Sequence, residues 1–188
     1  MTLKLGPSGV VPKADKDDPV RLHIGGRQVK PGWKILDIRP GPHVDFVGRC
    51  TDLSRFADGS VASVYSAHVF EHLGFRSELP QALAEVRRVL ARGGQFCISV
   101  PDLDRLCRLF IRPDLPLDLR IRVVKMIFGQ QAHEFDFHKF GFSFETLTFH
   151  LAQAGFTKVT QVREFDLFED SSRLAVEGTP ISVNIIAE

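Results

Sequence analysis

The 188-residue chain carries 24 Lys and Arg against 23 Asp and Glu, a formal net charge of +1, with 44% apolar residues. That balance supplies no bulk field for nucleic acid, an anionic membrane or an acidic polymer, and the length suits one domain with a real core. Cys50, Cys97 and Cys107 are odd in number and lack CxxC spacing, which argues against a disulfide framework or zinc ribbon and fits a reducing cytoplasm.

Residues 1–19 mix Gly, Pro, Lys and Asp without periodicity and read as a loose arm, followed by a single domain over 20–188. The arm has no apolar run of signal-peptide length, and no window approaches the roughly 20 apolar residues that span a bilayer, so a soluble, cytoplasmic protein is expected. From Val20 the pattern is strand and turn. Short β-branched or aromatic runs at 20–24, 34–38, 44–48 and 61–66, each bounded by Gly, Pro or Asp, predict four strands.

A helix is predicted over 77–90, where Leu79, Leu83, Val86 and Leu90 form one stripe, with Ser77 as its cap and Gly93-Gly94 as its stop. QFCISVP reads as a buried strand ending at Pro101, and 102–128 as helix broken around Pro113 and Pro116. A last helix over 143–154 presents Phe144, Leu147 and Leu151, and strands at 156–164 and 181–187 finish the chain. The alternation predicts an α/β fold: a three-layer, Rossmann-like arrangement with a mostly parallel, seven-stranded sheet. Only residues 39–43 separate the second and third strands, and the link before them is scarcely longer. A parallel crossover ordinarily takes about a dozen residues, so either these crossovers have lost their helices, which is the preferred reading, or one of the segments is not a sheet strand.

Three strand ends carry candidate ligand groups. Gly25-Gly26 let a ligand approach the backbone, or simply make a tight turn. Asp37 is placed to accept hydrogen bonds from ribose hydroxyls, or is a solvated strand-end acid. Asp52 follows the third strand and is a second ligand acid or the cap of the LSRF turn. Ser66, Ala67 and His68 end the fourth strand, with Ser66 equally readable as a polar terminus.

Taken in order, LHIGG, GWKILDI, VGRCTDLSRFADGSVASVYSAHVFEHL, EVRRVLARGGQFCISVPDL and DFHKFGFSFETLTFHLAQAGF resemble the class I S-adenosylmethionine-dependent methyltransferases over roughly residues 20–160. The likeness is to small bacterial members with a trimmed front end. It implies S-adenosyl-L-methionine as cofactor, with Gly25 and Gly26 at the methionine end, Asp37 and Ile38 at the ribose, and Asp52 with the Leu53 main chain at the adenine. Ser66 and His68 would then stand near the sulfonium. The sequence departs from the family at IGGRQ, where the third glycine is missing.

Methyl transfer is an in-line displacement, so a base is needed only for an acceptor that arrives protonated. His72 in FEHL and His138 in DFHKF are the candidates, the first also readable as a helix-start residue. The aromatic HEFDFHKFGF stretch suits a lid over an acceptor pocket or ordinary core packing. No metal ligands are assigned; the alternative of a metal-dependent hydrolase would use His133, Glu134, Asp136 and His138, whose spacing matches no standard zinc motif. A second alternative is a non-catalytic S-adenosylmethionine-binding module. The acceptor is expected to be a small molecule or glycan precursor, a sugar by analogy with similar family members.

Overall fold

The computed structural model describes residues 20–188, so the arm expected over 1–19 lies outside the described residues. Its strands are β1 (Val20–Ile24), β2 (Trp33–Asp37), β3 (Phe46–Val47), β4 (Val61–Ala67), β5 (Leu90–Pro101), β6 (Val159–Val162), β7 (Ala175–Val176), β8 (Thr179–Pro180) and β9 (Ser182–Ala187). The helices are α1 (Glu78–Val89), α2 (Leu103–Phe110), α3 (Leu117–Phe128) and α4 (Phe144–Gln153). Seven strands make one sheet in the order β3-β2-β1-β4-β5-β9-β6, and β7 and β8 form a separate hairpin. The first five strands of the sheet are parallel, and β9 runs against both its neighbours.

The period-two pattern sorts residues onto two faces of different character. Leu22, Ile24, Leu36, Val64, Phe96, Ile98, Val100, Val183 and Ile185 turn to one side. There they meet Leu79, Leu83 and Val86 of α1 and Leu147 and Leu151 of α4. Each such side chain contributes about 1.5–3 kcal/mol when fully buried. The opposite face carries His23, Trp33, Tyr65, Cys97, Ser99 and Asn184, all buried.

Helix-free crossovers hold as expected. β1 pairs with β2, and β2 with β3, in parallel register, although the connecting residues form only turns and bends. What covers the second face is an irregular segment between β6 and β7, which presses Phe165, Leu167 and Phe168 onto Trp33, Tyr65 and Cys97. The third layer over β1, β2 and β4 is therefore built from loop. Its anchor is Asp170, which accepts from the Tyr65 hydroxyl at 2.7 Å and from the Ser172 N–H at 2.9 Å.

The stretch between β3 and β4 is also loop, held from α1. Arg88 donates to the carbonyls of Leu53 (3.0 Å) and Phe56 (2.9 Å) and to Asp58 (2.8 Å), while Glu85 accepts from Leu53 N–H at 2.8 Å. α2, α3 and the hairpin share a smaller core of Leu106, Leu109, Leu115, Val123, Val176 and Ile181.

Two expected helix ends differ. Ser77 makes no capping hydrogen bond to α1; Glu78 instead accepts from Gly74 N–H at 2.8 Å. α1 ends at Val89 and the chain enters β5 at once, so Gly93, at φ +79, does not stop the helix. It lies in a bulge: Val61 pairs with Leu90 but Ser63 with Gln95, leaving Ala91–Gly94 outside the register. Ser143 does begin α4, in a capping box with Thr146.

Candidate functional site

A cleft of about 190 Å³ opens at the carboxyl ends of the parallel strands, lined from β1 by Gly25, from β2 by Asp37 and Ile38, and from the end of β3 by Gly48. β1 and β4 are where the strand order reverses, the place where open α/β sheets bind ligands. A second cavity of about 550 Å³ runs beneath Phe168 toward Asp170. The two share Gly25, Arg27 and His68, so they adjoin at those residues. Residues 133–137 and Lys139 also line the first cleft.

Gly25 has φ +73, and an added Cβ would come within 2.3 Å of Val69 Cγ2; its N–H donates to Leu36 O at 2.8 Å. Gly26 packs against the His23 ring, 2.6 Å from where its Cβ would be. The pair thus makes a tight turn whose first residue alone faces the cleft. Asp37 Oδ1 accepts from Arg39 N–H at 2.8 Å, and no protein donor among the described residues reaches Oδ2. Asp52 and Leu53 lie outside the lining: Asp52 is exposed and caps its turn by accepting from Ser54 N–H at 3.1 Å, and the Leu53 side chain is fully buried. Cys50 and Thr51 stand in the cleft wall instead. Ser66 is fully buried outside the lining, while Ala67 reaches only the second cavity.

His68 lies at the junction of the two cavities with φ 54, a conformation that non-glycine residues adopt rarely and at a cost of about 1–3 kcal/mol. Two bonds hold it there: its N–H donates to Ser99 O at 2.9 Å, and Nε2 meets Ser182 Oγ at 2.8 Å. Its other ring nitrogen points to Glu71 Oε1, 3.8 Å away. Glu71 sits on the 3-10 turn Phe70–His72 and is 1% exposed. Neither of its carboxylate oxygens has a hydrogen-bond partner among the described residues. His138 Nε2 approaches the same Oε1 at 3.9 Å, and the His72 and His138 rings meet edge to face at 4.8 Å.

Burial dominates the protonation of this group. It pushes the Glu71 carboxyl up to about 8, and lowers His68 to about 3 and His138 to about 4. His72 is also lowered, by burial first, against the Phe137 carbonyl that favours its charged form. All three imidazoles are neutral at neutral pH. Of the four residues in the hydrolase alternative, only His138 joins this cluster; His133 and Glu134 are exposed, and Asp136 accepts from Ala132 N–H at 3.1 Å.

Residues 31–98 match the family described as a methyltransferase domain. That match covers less than half of the chain, and the mostly parallel, seven-stranded sheet is of the Rossmann-like kind. Among solved structures it is similar to the CurJ carbon methyltransferase, at 17% identity and TM-score 0.57 over 95% of this chain and 50% of that one. It is also similar to an S-adenosylmethionine-dependent methyltransferase from Archaeoglobus fulgidus (19% identity, TM-score 0.55, 94% and 88% covered). A third likeness is to the Burkholderia thailandensis 1,6-didemethyltoxoflavin-N1-methyltransferase, whose structure holds 1,6-didemethyltoxoflavin and S-adenosylhomocysteine (16% identity, TM-score 0.57, 90% and 70% covered). At these identities the likeness is one of fold, and the chain spans half the length of the first of these. No curated protein matches it significantly.

The methyltransferase domain match begins after β1, so it does not include the glycine turn where the sequence departs from the family. The lining residues that sequence reasoning missed are those whose role comes from distant partners. Arg39 and Arg49 project from loops, and Arg49 and Lys139 are both tied to Glu78, itself outside the lining, which accepts from them at 2.6 and 2.9 Å and from Gly74 N–H. Glu71 was legible only as part of FEHL, and a carboxylate flanked by histidine within an apolar run was its one signal. Among the described residues no helix of this domain is long and apolar enough to cross a membrane.

Proposed function

We propose that the protein is an S-adenosylmethionine-dependent methyltransferase that binds its cofactor in the two cavities that adjoin at Gly25 and His68. One observation carries this reading: the Gly25 turn and Asp37, on neighbouring strands of a methyltransferase sheet order, face the same cleft. The donor set fits the cofactor. Asp37 Oδ2 is available to ribose hydroxyls, Ile38 and Leu36 give the cleft apolar wall, and Arg27 and Asp170 in the second cavity are of opposite charge, as a methionine carboxylate and ammonium require.

When bound, the cofactor supplies an electrophilic methyl group on a sulfonium. The chain contributes orientation and exclusion of water: the strained His68 backbone fixes one wall, and residues 133–137 line the cleft. His72 and His138 are neutral at working pH and can accept a proton from a hydroxyl or amine acceptor. The exposed rings of Phe135 and Phe137, beside polar His133 and Glu134, suit a flat or ring-shaped polar acceptor, and a sugar hydroxyl is the class proposed. Asp52 and Leu53 are not proposed as cofactor contacts; Cys50 and Thr51 take the adenine side.

The test is calorimetric titration with S-adenosylhomocysteine, followed by assay of S-adenosylhomocysteine release with sugar and nucleotide-sugar acceptors. Binding with turnover supports the enzyme. Binding without turnover on any acceptor supports the non-catalytic module, which the missing third glycine and missing first helix favour.

A further inference from the structure

We propose that Glu71, His72 and His138 form a binding site for one divalent transition-metal ion of the zinc or ferrous class, clamping the segment 129–142 to the turn after β4. One ligand atom from each lies within 4.8 Å of the other two. The donor set is two imidazoles and one carboxylate, which suits zinc and ferrous iron; magnesium and calcium prefer oxygen donors.

Three features distinguish this cluster from a chance meeting of polar groups. Glu71 is 1% exposed with both oxygens unpartnered among the described residues, so nothing in the protein favours its ionised form and a bound cation would supply that partner. His72 is also held by one nitrogen, Nδ1 meeting Phe137 O at 3.1 Å, which leaves the other free, and His138 Nε2 faces Glu71. Metal-ligating histidines ordinarily donate their second ring N–H in this way, which sets the tautomer and orients the ring. Finally His68, anchored through Nε2 to Ser182, presents Nδ1 to the same carboxylate at 3.8 Å, so a third imidazole faces Glu71.

Ligand bonds of about 2.0–2.1 Å place tetrahedral donors roughly 3.4 Å apart. The present separations are wider, so metal binding draws His138 inward and with it the segment whose Lys139 and Phe140 N–H groups already donate to Glu71 O. His72 lines the cleft as well; with a metal bound both imidazoles are ligands and no longer accept a proton, so in that state the ion would take over activation of an acceptor oxygen. That last role rests on the methyltransferase reading; the metal site does not.

The experiment is titration of the chelator-treated full chain with Co²⁺, followed by visible absorption and by metal analysis. One Co²⁺ per chain is expected, with at least tenfold weaker binding in Glu71→Gln and in His138→Ala and unchanged binding in His43→Ala. Saturable binding that survives both cluster substitutions, or none in the wild-type chain, overturns the site. The wild-type result decides even where a variant fails to fold by far-ultraviolet circular dichroism. S-adenosylhomocysteine is titrated into the same metal-free protein. Cofactor binding without a Co²⁺ site overturns the metal inference alone, and Co²⁺ binding without cofactor binding overturns the methyltransferase reading alone.

Discussion

Arg39 Nη1 stands 3.0 Å from His133 Nε2, joining the loop after β2 to the segment 133–137 that lines the cleft. Both residues are exposed, so the contact contributes less than about 1 kcal/mol to folding. Its effect is on the cleft mouth. Arg39→Ala is expected to speed S-adenosylhomocysteine dissociation several-fold in stopped-flow measurements while the melting temperature stays within about 2 °C. A dissociation rate equal to wild type would show that the bridge does not gate the cleft.

Gly25 is constrained twice, by φ +73 and by Val69 Cγ2 at 2.3 Å from an added Cβ. Gly25→Ala should therefore cost about 1–3 kcal/mol of stability, read from the urea midpoint. Adding Val69→Ala should restore only part of that loss, because the backbone strain remains. Full recovery in the double variant would assign the whole effect to the methyl contact.

Strand pattern and parallel pairing were legible in the sequence because short β-branched runs bounded by Gly, Pro and Asp leave few alternatives, and the short links correctly implied crossovers without helices. The cover on the second face was not legible. Phe165, Leu167 and Phe168 lie in a stretch without periodicity, and only the hydrogen bond from Tyr65 to Asp170, 105 positions away, shows what they pack on. The same limit applies to the site. Asp37 could be read from its strand end, but Glu71 and His138 meet through the fold, and Asp52 answers as well to a turn cap as to a ligand.

Buried His23 makes stability depend on acid. Its ring lies between Tyr65 and Phe168, and burial lowers it from 6.5 to about 4 despite the opposing pull of Asp170. Between those values the unfolded chain binds the proton and the folded chain does not. This contribution is complete above pH 6.5 and is lost as pH falls toward 4, by about 3 kcal/mol. His68 and His138 act in the same direction. In His23→Leu the slope of stability against pH over this window should fall by about 1.4 kcal/mol per pH unit. Denaturation curves from pH 4 to 7 with an unchanged slope would contradict it.

Arg88 stands in for a missing helix by holding the loop between β3 and β4 through Leu53 O, Phe56 O and Asp58. Hydrogen bonds from a charged donor contribute about 1.5–3 kcal/mol each when the acceptor would otherwise be stranded. Arg88→Ala should lower stability by roughly 2–4 kcal/mol and loosen the Cys50–Thr51 wall, giving weaker S-adenosylhomocysteine binding together with a lower melting temperature. Loss of stability without loss of affinity would separate this loop from the site.

Asp37 and the Gly25 turn are proposed to hold S-adenosylmethionine in this cleft. The most direct test is calorimetric titration of S-adenosylhomocysteine into the wild-type chain and into Asp37→Ala. One molecule bound per chain is expected, with affinity at least tenfold weaker in the variant, about 1.4 kcal/mol or more. No binding by the wild-type chain, or equal affinity in the two proteins, would contradict it.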